Sequence, residues 1–242
     1  MKLIKIIDME RILFVMTLLG SMLLTAQSPE DIQKDFFAHL KTDALILADE
    51  GLIKGDSNIK NFISEFEASN GKEHTYKKDF NIKVNAHLDY EIGEIQTNDK
   101  AFTVMFLKIK GSEIGAKIEF LIIYEKSNSE NELSDIDKSR KDWMALCNAH
   151  QVEKLVKQLY VADAYYYNRG RLLQGTKALS SEYSYMNSPN YSLKLTPKHV
   201  IFVNSDIAFE LGQCSGSYPL PYMLVWEKQD DGKWLILMDS NF

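Results

Sequence analysis

This chain repeats itself, and that repetition limits its folds more than any other feature. Asp43-Ala44 returns as Asp163-Ala164, an offset of 120 residues. At that offset Leu52 meets Leu172, Gly55 meets Gly175 and Ile59 meets Leu179. After a one-residue slip, Ile82 meets Ile201, Val84 meets Val203, Asn85 meets Asn204, and Glu91-Ile92-Gly93 meets Glu210-Leu211-Gly212. Further on, residues 102–109 align with 222–228 and residues 118–124 with 234–239. A competing register pairs Tyr124-Glu125-Lys126 with Trp226-Glu227-Lys228, but it demands a long extra hairpin in the first copy. The matches fall at turn and strand positions, so the pattern predicts two equivalent domains.

The polar stretch 127–133 separates the copies and reads as a linker. It leaves a first domain at 28–126 and a second at 134–242. Ser134 with Asp137 forms a capping-box start for a helix carrying Ile136, Arg140, Trp143 and Cys147. A second helix follows, with Val152, Leu155, Val156 and Leu159 at helical spacing. The first copy has a counterpart only to this second helix, with Ile32, Phe36 and Leu40 on its face. Each copy then reads short strand, glycine turn, helix and a run of strands. In the second copy these are a strand at 164–168, a helix at 176–186 and strands near 193–203, 207–214, 222–228 and 234–239. Helices early and an antiparallel meander late predict an α+β fold.

Residues 12–26 are uncharged and apolar, and Lys2, Lys5 and Arg11 precede them. At about 15 residues the run is shorter than the roughly 20 needed to span a bilayer. With the small Ala26 at its end it reads as a secretory signal peptide, residues 1–26, starting from Met1 or Met9. Ser28-Pro29-Glu30-Asp31 then opens a helix. The expected location is periplasmic or extracellular, with no membrane span after cleavage. Net charge is −6, and removing the leader makes the chain more acidic. That argues against a nucleic-acid partner, which needs clustered Lys and Arg. The two cysteines, Cys147 and Cys214, could bridge in an oxidising compartment or remain separate buried thiols.

Segments of the second copy resemble a known pattern. Trp143, Asn148-Ala149, Leu159-Tyr160, Asp163-Ala164, Gly175 and Ala178-Leu179 resemble the opening of SnoaL-like and ketosteroid-isomerase-like domains. Val225-Trp226-Glu227-Lys228 and Asp231-Gly232-Lys233-Trp234 resemble their closing hairpin. These belong to the nuclear-transport-factor-2-like superfamily, and the resemblance covers about residues 134–242. The first copy enters through its match to the second. The resemblance implies two cone-shaped domains, each a curved antiparallel sheet wrapped around helices with an apolar pocket inside. Superfamily members include isomerases, dehydratases, cyclases and association domains, so fold alone does not decide function.

The isomerases of this superfamily place a catalytic aspartate at the end of the first strand. The matching positions here are Asn168 and Ala48, and neither side chain can accept a proton near neutrality. A one-residue slip would offer Asp49, followed by Glu50, as solvated loop carboxylates. Asp43 and Asp163 repeat and are expected to bond local backbone N–H groups. The histidines show no metal-ligand spacing, and His150 is expected on the surface. There is no nucleophile-elbow serine, phosphate-cradling glycine loop or His-Glu-x-x-His. No catalytic residue, metal or cofactor is therefore assigned. The positive signal is aromatic. Tyr165 and Tyr167 share one face of a short strand by the two-residue period. With Asn168, Tyr222 and Asp239 they are expected to face the second domain's cavity, with Trp143 closing one side. Each tryptophan also has a plain reading as core.

These features point to an exported, non-catalytic module for a small apolar ligand or for interaction, including with a second copy of the chain. The alternative is an enzyme of the isomerase, dehydratase or cyclase type working in the second domain, with Asp239 as base. Export makes a direct prediction. N-terminal sequencing of protein from the native cell should find a mature chain starting near Gln27. An intact residue 1 in a cytoplasmic fraction would refute it.

Overall fold

The computed structural model describes residues 35–111 and 115–242. The leader at 1–26, the helix start at 28–31 and Ile32 lie outside the described residues. Among the described residues, twelve strands form two six-stranded sheets. The first copy runs β1 (Leu40–Ala48), β2 (Gly51–Lys54), α1 (Asp56–Asn70), β3 (Thr75–Lys83), β4 (Leu88–Gln96), β5 (Ala101–Ile109) and β6 (Lys117–Glu125). The second adds two leading helices, α2 (Leu133–Asn148) and α3 (Val152–Leu159). It continues with β7 (Tyr160–Asn168), β8 (Arg171–Gln174), α4 (Thr176–Glu182), a 3-10 turn (Tyr183–Asn187), β9 (Leu193–Phe202), β10 (Ile207–Gly216), β11 (Pro221–Lys228) and β12 (Trp234–Asn241).

The strand orders are β2-β1-β6-β5-β4-β3 and β8-β7-β12-β11-β10-β9, so the halves have identical topology. β3 to β6 and β9 to β12 are the expected meanders. The sheets are nonetheless mixed, because β1 runs parallel to β6 and β7 parallel to β12. The partners in each parallel pair are far apart in the chain, as parallel neighbours must be, since a tight turn joins only antiparallel strands. The register follows the first alignment, with β6 matching β12, and the long-hairpin alternative does not occur. Bulges interrupt the β5–β6, β9–β10 and β11–β12 pairings, and bulges bend a strand and increase its twist.

Glycine serves the curl at one repeated place. Gly93 on β4 and Gly212 on β10 are equivalent, and a Cβ at either would fall inside a tyrosine ring, Tyr76 or Tyr222. Immediately before each comes the repeated Glu-x, which puts Glu91 and Glu210 on the same inner face, both buried.

Local capping departs from expectation in two places. α2 starts at Leu133 with Glu132 as its cap residue and no side-chain cap bond, so the Ser134–Asp137 capping box does not form. Asp137 instead pairs with Arg140, which draws its carboxylate along the helix rather than back to its start. Phe36–His39 is a 3-10 turn and Leu40 begins a strand, so the expected helical face through Leu40 ends before it. Leu40 pairs with Ile118 of β6, and that ladder outweighs local helical spacing. Both cysteines are free and buried, and burial pushes both thiols up to about 12.

The inner face of each sheet wraps its own helices. The outer faces pack against each other. Leu47, Tyr90, Ile92, Met105 and Leu107 of the first sheet join Tyr167, Phe209, Leu211, Met223 and Val225 of the second in one buried cluster. Phe120 meets Tyr167 edge-on at 5.1 Å between centroids, and Tyr124 meets Phe209 at 6.1 Å. Polar links are few. Tyr167 donates to Glu119 at 2.5 Å, Tyr90 meets Ser240 at 3.2 Å, and His199 bonds Asp79 at 2.8 Å while stacking on Phe80. Among the described residues no helix is long and apolar enough to cross a membrane.

Phe209 is fully buried in this shared layer. Phe209→Ala should cost about 3–5 kcal/mol in urea unfolding. All three tryptophans lie in the second copy, whereas far-UV circular dichroism reads both sheets. The two signals should shift together in the variant. A loss under 1 kcal/mol would mean that the shared layer does not hold the halves.

Candidate functional site

The inner face of the second sheet is built around two buried carboxylates. Glu210, on β10, is fully buried and accepts four hydrogen bonds. Arg140 Nε and Nη2 donate to it at 2.8 and 2.6 Å, Tyr222 at 2.6 Å and Trp226 Nε1 at 2.8 Å. Arg140 comes from α2, so this ion pair fastens the leading helix across the cone. Taking either charge out of water is costly unless it is paired. The fork of the guanidinium on both carboxylate oxygens, with two further donors, supplies the compensation a buried charge requires.

Asp239, on β12, is the second carboxylate. Tyr160 donates to its Oδ2 at 2.8 Å and Tyr183 at 2.5 Å, while Trp143 Nε1 donates to the Tyr160 oxygen at 3.1 Å. No basic side chain pairs with it among the described residues. Burial raises its pKa to about 6, against the pull of the Tyr183 and Tyr160 hydrogen bonds. Beside it Tyr166 donates to Asn241 at 2.8 Å, and Asn168 donates to Tyr166 at 3.0 Å.

Of the residues expected to line this cavity, Trp143, Asn168, Tyr222 and Asp239 do come together on the inner face. Tyr165 and Tyr167 do not: both pack in the layer between the sheets, and Tyr166 between them faces the cone. The two-residue period assigns the inner face to the odd-numbered tyrosines, whereas the structure turns Tyr166 and Asn168 inward. Alternation marks a buried face only when the other face is wet, and here the other face is another sheet. Arg140, Glu210, Tyr160 and Tyr183 were not assigned to the site. The repeated Glu-x-Gly was the available signal for Glu210. Nothing local marks Tyr183, which arrives on the 3-10 turn from 56 residues before Asp239. Asp43 and Asp163 are exposed, and Asp43 pairs with Lys41 at 3.4 Å rather than capping backbone. His150 is half-buried, with Nδ1 3.0 Å from the Met186 carbonyl.

These side chains fill the second cone. The remaining void, lined by Trp143, Tyr222, Asp239 and Asn241 among others, is about 20 Å³, room for roughly one water. The first cone differs at the matching positions. Leu121 stands where Asp239 does, Ile123 where Asn241 does and Ala48 where Asn168 does, by the ladders of β1 with β6 and β7 with β12. Glu91 keeps its place, taking Tyr76 at 2.6 Å and Lys108 at 2.5 Å. Lys108 sits where Trp226 does in the second copy. α1 leaves a cleft of about 500 Å³ at the mouth, floored by Ile53, Phe62, Phe66, Phe102 and Ile123. A second opening of about 780 Å³ is lined by His74, Tyr76 and Asn98 among others. Among the described residues no group of three His, Cys, Asp or Glu side chains is placed to hold a metal ion.

The strand order, the helices on the inner face and the curl now stand together. Solved structures of nuclear-transport-factor-2-like proteins are similar to stretches about half the length of this chain. A nuclear-transport-factor-2-like protein of unknown function from Shewanella oneidensis is 21% identical, aligning over 45% of this chain and 96% of its own at a TM-score of 0.39. A domain of unknown function with a cystatin-like fold from Nostoc punctiforme is 20% identical over 46% of this chain and 78% of its own, at 0.39. A candidate ketosteroid isomerase from Shewanella frigidimarina is 23% identical over 43% and 92%, at 0.35. No protein-family model matches the chain, and no curated protein matches it.

Asp239 has a pH signature. Its folded pKa lies above the unfolded value near 3.8, so the folded state holds the proton more tightly. The resulting stabilisation is full below about pH 4 and is lost as pH rises through about 6, a change on the order of 2–3 kcal/mol. Asp239→Asn should flatten the stability profile in that window, whatever it does to absolute stability. An unchanged slope would mean Asp239 is not the titrating group.

Proposed function

We propose that this protein is an exported, non-catalytic module that binds a small, mainly apolar ligand in the mouth of the first domain's cone. One observation carries the reading: the contrast between about 500 Å³ at the first mouth and about 20 Å³ in the second cone. Ligand sites are typically about 300–1,000 Å³, mostly apolar with a few polar groups. The first mouth has that size and an apolar floor under a polar rim, and the second void holds no more than a water. The second cone then acts as a brace, its inner face spent on the Glu210 and Asp239 networks. The apolar run at 12–26 behind a basic flank supports export.

The reading disfavours acid–base chemistry in the first cone, where Ala48 and Leu121 stand at the two informative positions. A second reading has one observation in its favour. Asp239 combines a pKa near 6 with two tyrosine donors, which suits proton transfer, but a substrate could reach it only if α2 or the 3-10 turn moved aside.

Native mass spectrometry of protein purified from its own cell tests the choice. The expected result is a co-purified small molecule that is lost in Phe62→Ala, with the fold retained by circular dichroism. Proton exchange from a β,γ-unsaturated ketosteroid, abolished by Asp239→Asn, would overturn the proposal in favour of an isomerase-type enzyme.

A further inference from the structure

We propose that the first-domain mouth selects a hydrophobic amine, a ligand with an apolar body and an ammonium head. The inference rests on the reading of that mouth as the ligand site and adds the charge of its occupant. The floor is carbon: Ile53, Phe62, Phe66, Phe102 and Ile123. The rim is negative. It carries Asp49, Glu50, Glu65 and Glu125 against one ammonium, Lys100. Lys100 is already committed to Glu125 at 2.7 Å. Asp49, Glu50 and Glu65 have no ion-pair partner among the described residues.

The neutral rim groups point the same way. Asn58 donates its amide to the Lys54 carbonyl and Asn70 to the Phe66 carbonyl, each at 2.9 Å. That use of the donors leaves both side-chain oxygens as acceptors. Asp49 independently registers the surplus charge. Partial desolvation against the cleft wall, then Glu50 and Glu125, raise its pKa. An added carboxylate would meet the same repulsion, whereas an ammonium would relieve it. A neutral alcohol would gain the apolar floor without the charge. The apolar floor excludes a bare hydrated cation as the best occupant, because it offers nothing to a metal ion's water shell.

Three probes with one body and different heads test this: octylammonium, octanol and octanoate, titrated calorimetrically at pH 7.5 into the full chain. Octylammonium should bind about tenfold more tightly than octanoate, with octanol between them. In Asp49→Asn/Glu50→Gln the preference should collapse while octanol binding persists. Both residues are exposed, so the fold should survive the change. Asn61→Trp, also at an exposed rim position, should block all three probes. Equal binding of the three, still blocked by Asn61→Trp, would overturn the amine inference and leave the mouth as a ligand site. No binding, or binding that Asn61→Trp does not affect, would overturn both.

Discussion

The two sheets share one apolar layer, and the rest of the structure depends on it. A sheet has two faces, and here the outer face of each is spent on the other. Tyr90, Phe120, Phe209, Met223 and their neighbours leave water together, whereas either sheet alone would expose a broad apolar surface. Placing the layer between two copies of one topology gives the chain an approximate twofold arrangement, in which Phe80 of one half stacks on His199, its positional equivalent, in the other. Function is thereby confined to the inner faces and the rims.

On those inner faces the copies have diverged from a common frame. The buried glutamate before a glycine persists in both, since Gly93 and Gly212 alone let a tyrosine ring lie against the strand. What neutralises the glutamate differs. In the first copy it is Lys108 from the sheet, and in the second Arg140 from a helix. The arginine solution ties α2 down and closes the second cone. A buried ion pair of this kind adds little net stability over an apolar replacement. Removing one partner would nevertheless leave a buried charge, so the closed arrangement is kept once formed. The first copy, with leucine, isoleucine and alanine where the second has Asp239, Asn241 and Asn168, keeps an apolar floor beneath its mouth.

Much of the architecture was legible because duplication is a long-range signal. Asp43-Ala44 and Glu91-Ile92-Gly93 recur at nearly constant offset, so a comparison of the chain with itself located equivalent strands in the two halves. The faces were harder. Tyr165, Tyr166 and Tyr167 are all buried, and a strand covered on both sides carries no alternation from which to choose an inner face. The Asp239 network was partly hidden as well. Its acceptor was named, but its donors Tyr160 and Tyr183 lie 79 and 56 residues away, and no local spacing connects them. The parallel pairing of β1 with β6 is likewise marked by no residue in either strand.

Native-state hydrogen exchange measures most directly whether the shared layer makes the two halves one unit. The central strands β4 and β5 of the first half and β10 and β11 of the second contribute to that layer. Their slowest amides should exchange with one common free energy, and mild denaturant should lower all of them in parallel, as for a single cooperative opening. If the β4 and β5 amides instead exchanged at a distinctly lower free energy while β10 and β11 remained protected, the first half would open on its own. The sheet-on-sheet layer would then not be what holds the molecule together.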